Sequence, residues 1–325
     1  MIGMIVRRIA WLGLLILIIT ALTYTLFFLI PADPAVAAVP KGASPQTIAD
    51  VRHRMGLDQP VWKQYLYFLH GPDLIGNGQP SGILNWPPNL GYSFKNQEPV
   101  LATILDRLPV TISLAIGGVA LWLLFGLAVG IISALRPRSL QDRSAMLFAL
   151  VGVSMPQFLL GVALLYFFYF KIHIFPAPTY VPFTKDPLDW AWHLVLPWVT
   201  LAFTYAAAYS RIMRSSMLEV ANENWVLLAR AKGLRRRDVV ARHVVRPALQ
   251  PVVTMLGMDL GILISGAVVV EVVFGLNGVG NLAIHALQTA DLPVIAGTVI
   301  VAAVAVAAAN LFVDVGYRFL DARVQ

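Results

Sequence analysis

The segment from Leu108 to Leu135, LPVTISLAIGGVALWLLFGLAVGIISAL, contains no Asp, Glu, Lys or Arg. A helix needs about 20 mainly apolar residues to cross the roughly 30 Å hydrocarbon core of a bilayer, so this segment is long enough to span it. Five further segments have the same character, although one of them is interrupted by Asp259. They are Ala10 to Ile30, Ser144 to Phe170, Trp190 to Ser210, Pro247 to Val270 and Leu292 to Val313. The sequence therefore predicts an all-α polytopic membrane protein with six transmembrane helices.

The composition agrees with a membrane protein and limits its chemistry. Of the 325 residues, 58% are hydrophobic and 13% are charged, whereas about a quarter of the residues in soluble proteins are charged. The 24 Lys and Arg exceed the 17 Asp and Glu, which gives a formal charge of +7. Basic residues collect on the cytoplasmic side of membrane proteins, so this excess does not require a nucleic acid as partner. The absence of cysteine excludes disulfides, thiolate metal sites and cysteine nucleophiles.

The first apolar segment has two features of a secretory signal. Arg7 and Arg8 precede it, and Ala35-Val36-Ala37 follows it. However, its apolar run is longer than the about 7 to 15 residues of a signal peptide, and further spans follow. We therefore expect an uncleaved N-terminal transmembrane helix within residues 1–30.

The basic residues are distributed unevenly between the two sides of the predicted spans. Residues 31–107 carry as many acidic as basic side chains, whereas the loops at 136–143 and 211–246 are rich in arginine. This asymmetry predicts that both termini are cytoplasmic and that residues 31–107 form an extracytoplasmic segment. Within that segment, Ser44-Pro45 and Gly56 should bound one short helix, and a second should run from about Val61 to Leu69. Residues 108–325 hold the other five spans.

The large inner loop, at about residues 220–246, predicts two short helices joined by a turn. Asn222 or Asn224 can cap a helix that ends near Lys232, and Gly233 permits a sharp turn before a second helix near Arg236. Small and apolar side chains before the turn are typical of a helix that docks in a groove of another protein. An anchor at the lipid headgroups is the alternative. A DNA-binding helix–turn–helix is disfavoured because membrane spans flank the loop on both sides.

The stretch from Trp225 to Thr254, WVLLARAKGLRRRDVVARHVVRPALQPVVT, resembles the cytoplasmic signature loop of permease subunits in the dipeptide/oligopeptide/nickel branch of ABC importers. Similar matches in the same order cover nearly the whole chain. They are DPA at 33–35, GLDQP at 56–60, QYL at 64–66, LGYS at 90–93, RLPVT at 107–111, SMPQF at 154–158, SMLEV at 216–220, AVVVEVVF at 267–274 and LFVDVGY at 311–317.

This resemblance implies a type I ABC importer transmembrane domain whose signature loop forms a coupling helix in a cleft of a cytoplasmic ATPase. Ala229, Ala231 and Gly233 would make the close contacts, with Arg230 and Lys232 beside them. The signature loop departs from the family pattern at three residues, which implies a partner ATPase matched to this subunit. These are Leu227 and Leu228, where Arg-Thr is common, and Pro247, where Asn is usual.

The resemblance also implies the partners and the location. They are a second, related permease, one or two ATPases that use ATP and Mg²⁺, and an extracytoplasmic substrate-binding protein, in the lipid of a bacterial or archaeal cytoplasmic membrane. The chain itself is then a transport subunit without a cofactor, not an enzyme. The sequence contains no GxxxxGK[ST] motif for a nucleotide.

Two further regions are candidates for function. Asp259 lies near the middle of the fifth span, where a carboxylate costs at least about 2.5 kcal/mol. We expect it either to line the substrate path, where it would attract a cationic group, or to form an internal hydrogen bond or ion pair. The segment that follows the same span contains Glu271, Gly275, Gly278 and Gly280, and the resemblance implies that it faces the binding protein near the outer gate.

The cargo stays open among peptides, nickel, haem and glutathione, of which di- or oligopeptides are the leading prediction. A secondary transporter or channel would need internal repeats or a series of carboxylates in the membrane, and the sequence offers neither clearly. A membrane enzyme is disfavoured because the histidines lack ligand-like spacing. They are His53, His70, His173, His193, His243 and His285.

Overall fold

The computed structural model describes residues 2–30, 33–39, 42–71, 73, 82–86, 88–264 and 267–320. It is mainly helical and divides into two compact units. The first unit combines residues 1–109 with residues 277–307, and the second combines residues 110–276 with residues 308–325.

The first unit contains short elements between the N-terminal helix and the beginning of a long helix. They are α1 (Ile2–Tyr24, continued by a π-helical turn at Thr25–Leu29), α2 (Pro34–Ala38), α3 (Pro45–Arg54), α4 (Val61–His70), β1 (Tyr92–Ser93), β2 (Glu98–Pro99) and the first turns of α5 (Val100–Leu135). The two strands pair antiparallel, with Tyr92 opposite Pro99. Later in the chain, α14 (Val279–Thr289) and the start of α15 (Leu292–Leu320) complete this unit.

Both short helices predicted for the segment after α1 are present. The Ser44 hydroxyl accepts a hydrogen bond from the Thr47 amide at 3.1 Å, which caps α3. Gly56 follows that helix with a φ of +69°, a value that glycine adopts without steric cost. The Tyr24 hydroxyl then donates to Gln64 Oε1 at 2.7 Å and joins α1 to α4. Much of the Gly- and Pro-rich stretch at residues 71–89, which follows α4, lies outside the described residues.

Residues 277–307 join the first unit because α15 packs on the start of α5. Val100 and Ile104 are fully buried with Val294 in one apolar cluster. At Gly297 a Cβ atom would lie only 2.4 Å from Val100 Cγ1, so the absence of a side chain permits the close approach of the two helices. The Ser93 hydroxyl donates to the buried Asp291 carboxylate at 2.5 Å and fixes the β1 strand to the α14–α15 turn.

The second unit is built on α5 and α8, with the remaining helices packed around them. Its elements after α5 are α6 (Leu140–Ser154), α7 (Gln157–Leu164, continued by a π-helical segment at Leu165–Lys171), α8 (Pro187–Val220), α9 (Asn224–Ala231), α10 (Arg236–Asp238, continued by a π-helical segment at Val239–Val245), α11 (Arg246–Ala248), α12 (Gln250–Ile264) and α13 (Val268–Val273). A Cβ atom at Gly130 of α5 would lie 2.6 Å from the Ser210 carbonyl oxygen of α8. Small residues therefore let these two long helices approach each other closely.

Three of the six predicted spans are present as single long apolar helices among the described residues. Among the described residues, three helical stretches are long and apolar enough to cross a bilayer: Val100–Leu135, Pro187–Val220 and Leu292–Ala309. Two shorter apolar helices, Gly13–Leu29 and Gln250–Leu263, correspond to the first and fifth predicted spans. The chain is thus a helical protein with several apolar helices of membrane-spanning character.

The third and fifth predicted spans are not single straight helices. Helices α6 and α7 meet at an angle of 100° around Met155 and Pro156, and they form a fourth span only if the bent pair is counted as one. Proline lacks the amide donor that helix continuation requires and biases the preceding residue toward extended backbone, as found for Met155 (ψ 121°). In the fifth predicted span, α12 ends at Ile264 and α13 begins at Val268.

Candidate coupling and translocation sites

Helix α9 presents one face to its own unit and the other face to solvent. Val226 and Ala229, three residues apart, are buried in the core cluster of the second unit. Large apolar side chains on the remaining surface are about half exposed: Trp225 47%, Leu227 50% and Leu228 57%. A short helix that leaves so much apolar surface uncovered has the character of a binding element.

The end of α9 is a Schellman turn centred on Gly233. The Gly233 amide donates to the Arg230 carbonyl at 3.0 Å, and the Leu234 amide donates to the Ala229 carbonyl at 3.4 Å. Gly233 has a φ of +78°, and a Cβ atom added there would meet nothing within 4 Å. Glycine is therefore required by the backbone conformation of the turn and not by lack of space.

The predicted coupling residues fall into two groups in the structure. Arg230, Ala231, Lys232 and Gly233 are exposed, whereas Ala229 is only 6% exposed and packs inside its own chain. The N-cap residue of α9 is Glu223, which lies between the two predicted caps, Asn222 and Asn224. Its side chain makes no capping hydrogen bond. The predicted second helix near Arg236 is present as α10 and its π-helical continuation.

Asp259 lies on α12 and is hydrogen bonded within its own unit. The Tyr209 hydroxyl of α8 donates to Asp259 Oδ2 at 2.6 Å. Trp122 of α5 lies beside this pair, with its ring centroid 5.8 Å from Tyr209 and 4.5 Å from the stacked ring of Tyr205. The indole nitrogen of Trp122 is buried and, within the described part of the chain, has no hydrogen-bond partner. The internal hydrogen bond considered for Asp259 is therefore present, and its role in a substrate path stays a prediction.

The residues predicted at the outer gate occupy different environments. Glu271 of α13 is fully buried, and its carboxylate accepts a hydrogen bond from the Thr111 hydroxyl at 2.8 Å. Gly275 is exposed with a φ of +61°. Gly278 is the N-cap residue of α14, and Gly280 is buried in its first turn. The side chain of Glu271 is thus enclosed in its own unit, and its contact with a binding protein stays a prediction.

The second unit contains a buried ion pair that sequence reasoning did not identify. Arg214 Nε and Nη2 of α8 donate to the two carboxylate oxygens of Asp142 on α6, at 2.6 and 2.9 Å. The Ser133 hydroxyl and the Arg138 amide donate to the same carboxylate. Asp142 lies in the first turn of α6, just before the charge-free segment that begins at Ser144. In the sequence, the pattern that could have indicated this ion pair is one acidic residue among three arginines around the α5–α6 turn.

Comparisons with known proteins agree with a membrane protein built of several apolar helices. Residues 126–325 match the family described as binding-protein-dependent transport system inner membrane component, and residues 1–115 match the N-terminal region described for such membrane components. A protein of Brucella abortus (strain 2308), provisionally named a peptide transport system permease, is 37% identical over 328 residues, which cover 100% of this chain and 99% of that protein.

Two relatives from other genera extend the match. The dipeptide transport system permease protein DppB of Escherichia coli (strain K12) is 32% identical over 331 residues, covering 94% of each chain. A protein of Sinorhizobium fredii (strain NBRC 101917 / NGR234), named a probable peptide ABC transporter permease, is 32% identical over 302 residues, covering 93% of this chain and 92% of its own length. Since the family matches and the relatives together cover the chain from end to end, the protein belongs to the family of binding-protein-dependent transport system inner membrane components.

Proposed function

We propose that this chain is the permease subunit of an ATP-driven ABC importer that takes up di- or oligopeptides delivered by a substrate-binding protein. The observation that carries the proposal is the exposed apolar face of α9 at the Schellman turn, in a chain of otherwise membrane-spanning character. The names of the relatives, which refer to peptide or dipeptide transport, support the choice of cargo.

In this proposal the chain crosses the membrane six times with both termini in the cytoplasm. The first and fifth spans are the shorter apolar helices, and the bent pair α6–α7 is the third. The concentration of arginine in the α5–α6 turn and in the α8–α12 connection supports this orientation. The chain then contributes half of a translocation path, and a second, related permease contributes the other half.

The segment from α9 to Leu234 is the proposed coupling helix. Its exposed leucines and Trp225 would enter a cleft of a cytoplasmic ATPase, with Arg230 and Lys232 at the rim. Buried Ala229 and Val226 would hold the helix on its own chain, where α9 packs against the π-helical segment Val239–Val245, so that a push on one face reaches the core of the second unit. One or two ATPases would supply ATP hydrolysis with Mg²⁺, and their closure would bias the helices between inward-open and outward-open arrangements.

The coupling proposal is tested by the variant Leu228→Asp in the assembled complex. A charge in an apolar interface should weaken ATPase association at least roughly tenfold, which corresponds to about 1.4 kcal/mol. The measurement is co-purification of the ATPase together with substrate-stimulated ATP hydrolysis. The matched control is Leu188→Asp, because Leu188 is a more exposed leucine (84%) at the start of α8 and lies outside the coupling segment. ATPase association equal to that of the unmodified complex would reject α9 as the docking element.

The cargo proposal is tested by a screen of substrate-stimulated ATP hydrolysis with the cognate binding protein present. Dipeptides and longer peptides should stimulate hydrolysis, whereas nickel, haem and glutathione should not. Stimulation by one of those three ligands alone would keep the importer and replace its cargo. Uptake that proceeds without any ATPase would instead favour a secondary transporter or channel.

A further inference from the structure

An apolar groove runs along the surface of the second unit between α5, α6 and α8. Its wider part has a volume of about 330 Å³ and is lined only by apolar side chains, among them Phe125, Phe148 and Phe203. A second part of about 280 Å³ shares Val129 and Phe148 with the first and lies toward the α5–α6 turn. The two parts therefore adjoin at these two residues.

The length of the groove matches one leaflet of a bilayer. Along α5 its lining extends from Leu121 to Ile132. At about 1.5 Å per residue this distance is roughly 16 Å, compared with about 15 Å for half of the hydrocarbon core. An extended acyl chain therefore fits its length, its apolar lining and its position on helices of membrane-spanning character.

The end of the groove next to the α5–α6 turn is polar and positively charged. Gln141 and Ser144 line it there, and Arg136 Nη1 donates to Gln141 Oε1 at 3.3 Å, which places one guanidinium at the mouth. The carboxylate of Asp142 is already bound by Arg214. Within the described part of the chain, no carboxylate pairs with Arg136.

We propose that this groove binds an anionic phospholipid of the bilayer, with an acyl chain between α5, α6 and α8 and the phosphate at Arg136. Charge complementarity identifies the occupant, because an apolar lining alone would suit any lipid chain, whereas a guanidinium without a carboxylate partner at the mouth selects a negative headgroup. The site is independent of the coupling helix and of the cargo. A second permease covering the same face would present protein in place of lipid.

Fluorescence quenching in the assembled complex tests the proposal. This chain contains no cysteine, so Phe125→Cys introduces one labelling position in the wide part of the groove once cysteines of the other subunits are replaced. Phe125 is exposed (54%), and Val199→Cys across the groove serves if the first variant does not assemble. Liposomes of phosphatidylcholine carry a small fraction of brominated phosphatidylglycerol or, separately, brominated phosphatidylcholine. The brominated anionic lipid should quench the label at a roughly tenfold lower fraction than the neutral one.

The variant Arg136→Gln should abolish that preference. The control Arg236→Gln removes the same charge from an exposed position in the loop at residues 220–246 and should retain the preference. Equal quenching by both lipids would mean ordinary bilayer contact and would overturn the proposal. Absence of quenching by either lipid would also overturn it and would indicate that a protein subunit covers the groove. A preference that survives in Arg136→Gln would contradict the assignment of the headgroup site.

Discussion

At the scale of single residues, the polar side chains inside the second unit are the positions that sequence alone described least well. Asp142 and Arg214 are 72 residues apart, and Thr111 and Glu271 are 160 residues apart. Helical periodicity carries no information on which distant side chains meet, so the sequence identified Asp259 and Glu271 as unusual without their partners. These partners meet only through the packing of α5, α6, α8, α12 and α13.

The variant Asp142→Asn tests the importance of the buried ion pair for stability. It leaves Arg214, which is 23% exposed, without its carboxylate partner. We expect a loss of about 2 kcal/mol, at the lower end for a broken buried pair because Arg214 retains some solvent. The measurement is thermal unfolding of the purified complex in detergent. Glu219→Gln, an exposed acid on the same helix α8, should leave the melting temperature unchanged, and an equal fall in both variants would argue against a specific role for the pair.

Variants of Asp259 and Tyr209 distinguish a role of Asp259 in the substrate path from a role in packing of the helices. Asp259→Leu should lower transport more than it lowers the amount of protein in the membrane, because the carboxylate would be lost from the path. Tyr209→Phe removes the hydrogen bond at 2.6 Å but retains the carboxylate and the buried ring, so it should affect transport less. Transport and abundance that fall together in Asp259→Leu would show that the carboxylate serves the fold alone.

At the scale of elements, composition predicted helix ends well where glycine or proline sets the backbone, and less well within apolar segments. Gly56 and Gly233 both end helices with positive φ, as expected. The bend at Pro156 was not predicted, although the proline was visible, because the charge-free segment was treated as one unbroken helix. The second half of the loop at residues 220–246 contains a π-helical segment (Val239–Val245), which hydrophobic periodicity does not distinguish from an α-helix.

The turn at Gly233 supplies a test of the coupling element that does not alter its surface. Gly233→Ala adds one methyl group that meets no atom within 4 Å, so its cost of about 1–2 kcal/mol arises only from the left-handed backbone. We expect fewer substrate molecules transported per ATP hydrolysed, while membrane insertion is retained. The larger variant Gly233→Trp should abolish coupled transport.

Gly13→Ala is the matched control for this turn, because Gly13 also has open space around it but has no positive φ. It should leave the transport ratio unchanged. If Gly233→Ala keeps the ratio of the unmodified complex, the turn does not set the position of the coupling helix.

At the scale of the whole molecule, the distribution of charge predicted the type of protein, and the family confirms it as an inner membrane transport component. The same distribution supports the proposed orientation, since arginine-rich connections alternate with charge-free segments. The number of spans could not be fixed by composition, because bent and interrupted helices cross a membrane differently from straight ones. The proposed role of the chain as half of a larger transporter depends on contacts with other subunits, which the composition of one chain does not describe.

The most direct test of the central claim is peptide uptake by the complete complex reconstituted in liposomes. The complex should contain this chain, the second permease, the ATPases and the binding protein, and the measurement is accumulation of a labelled dipeptide. We predict accumulation that requires both hydrolysable ATP and the binding protein and that is lost with Leu228→Asp but kept with Leu188→Asp. Accumulation that proceeds with a non-hydrolysable ATP analogue, or that follows an ion gradient without ATP, would contradict the account.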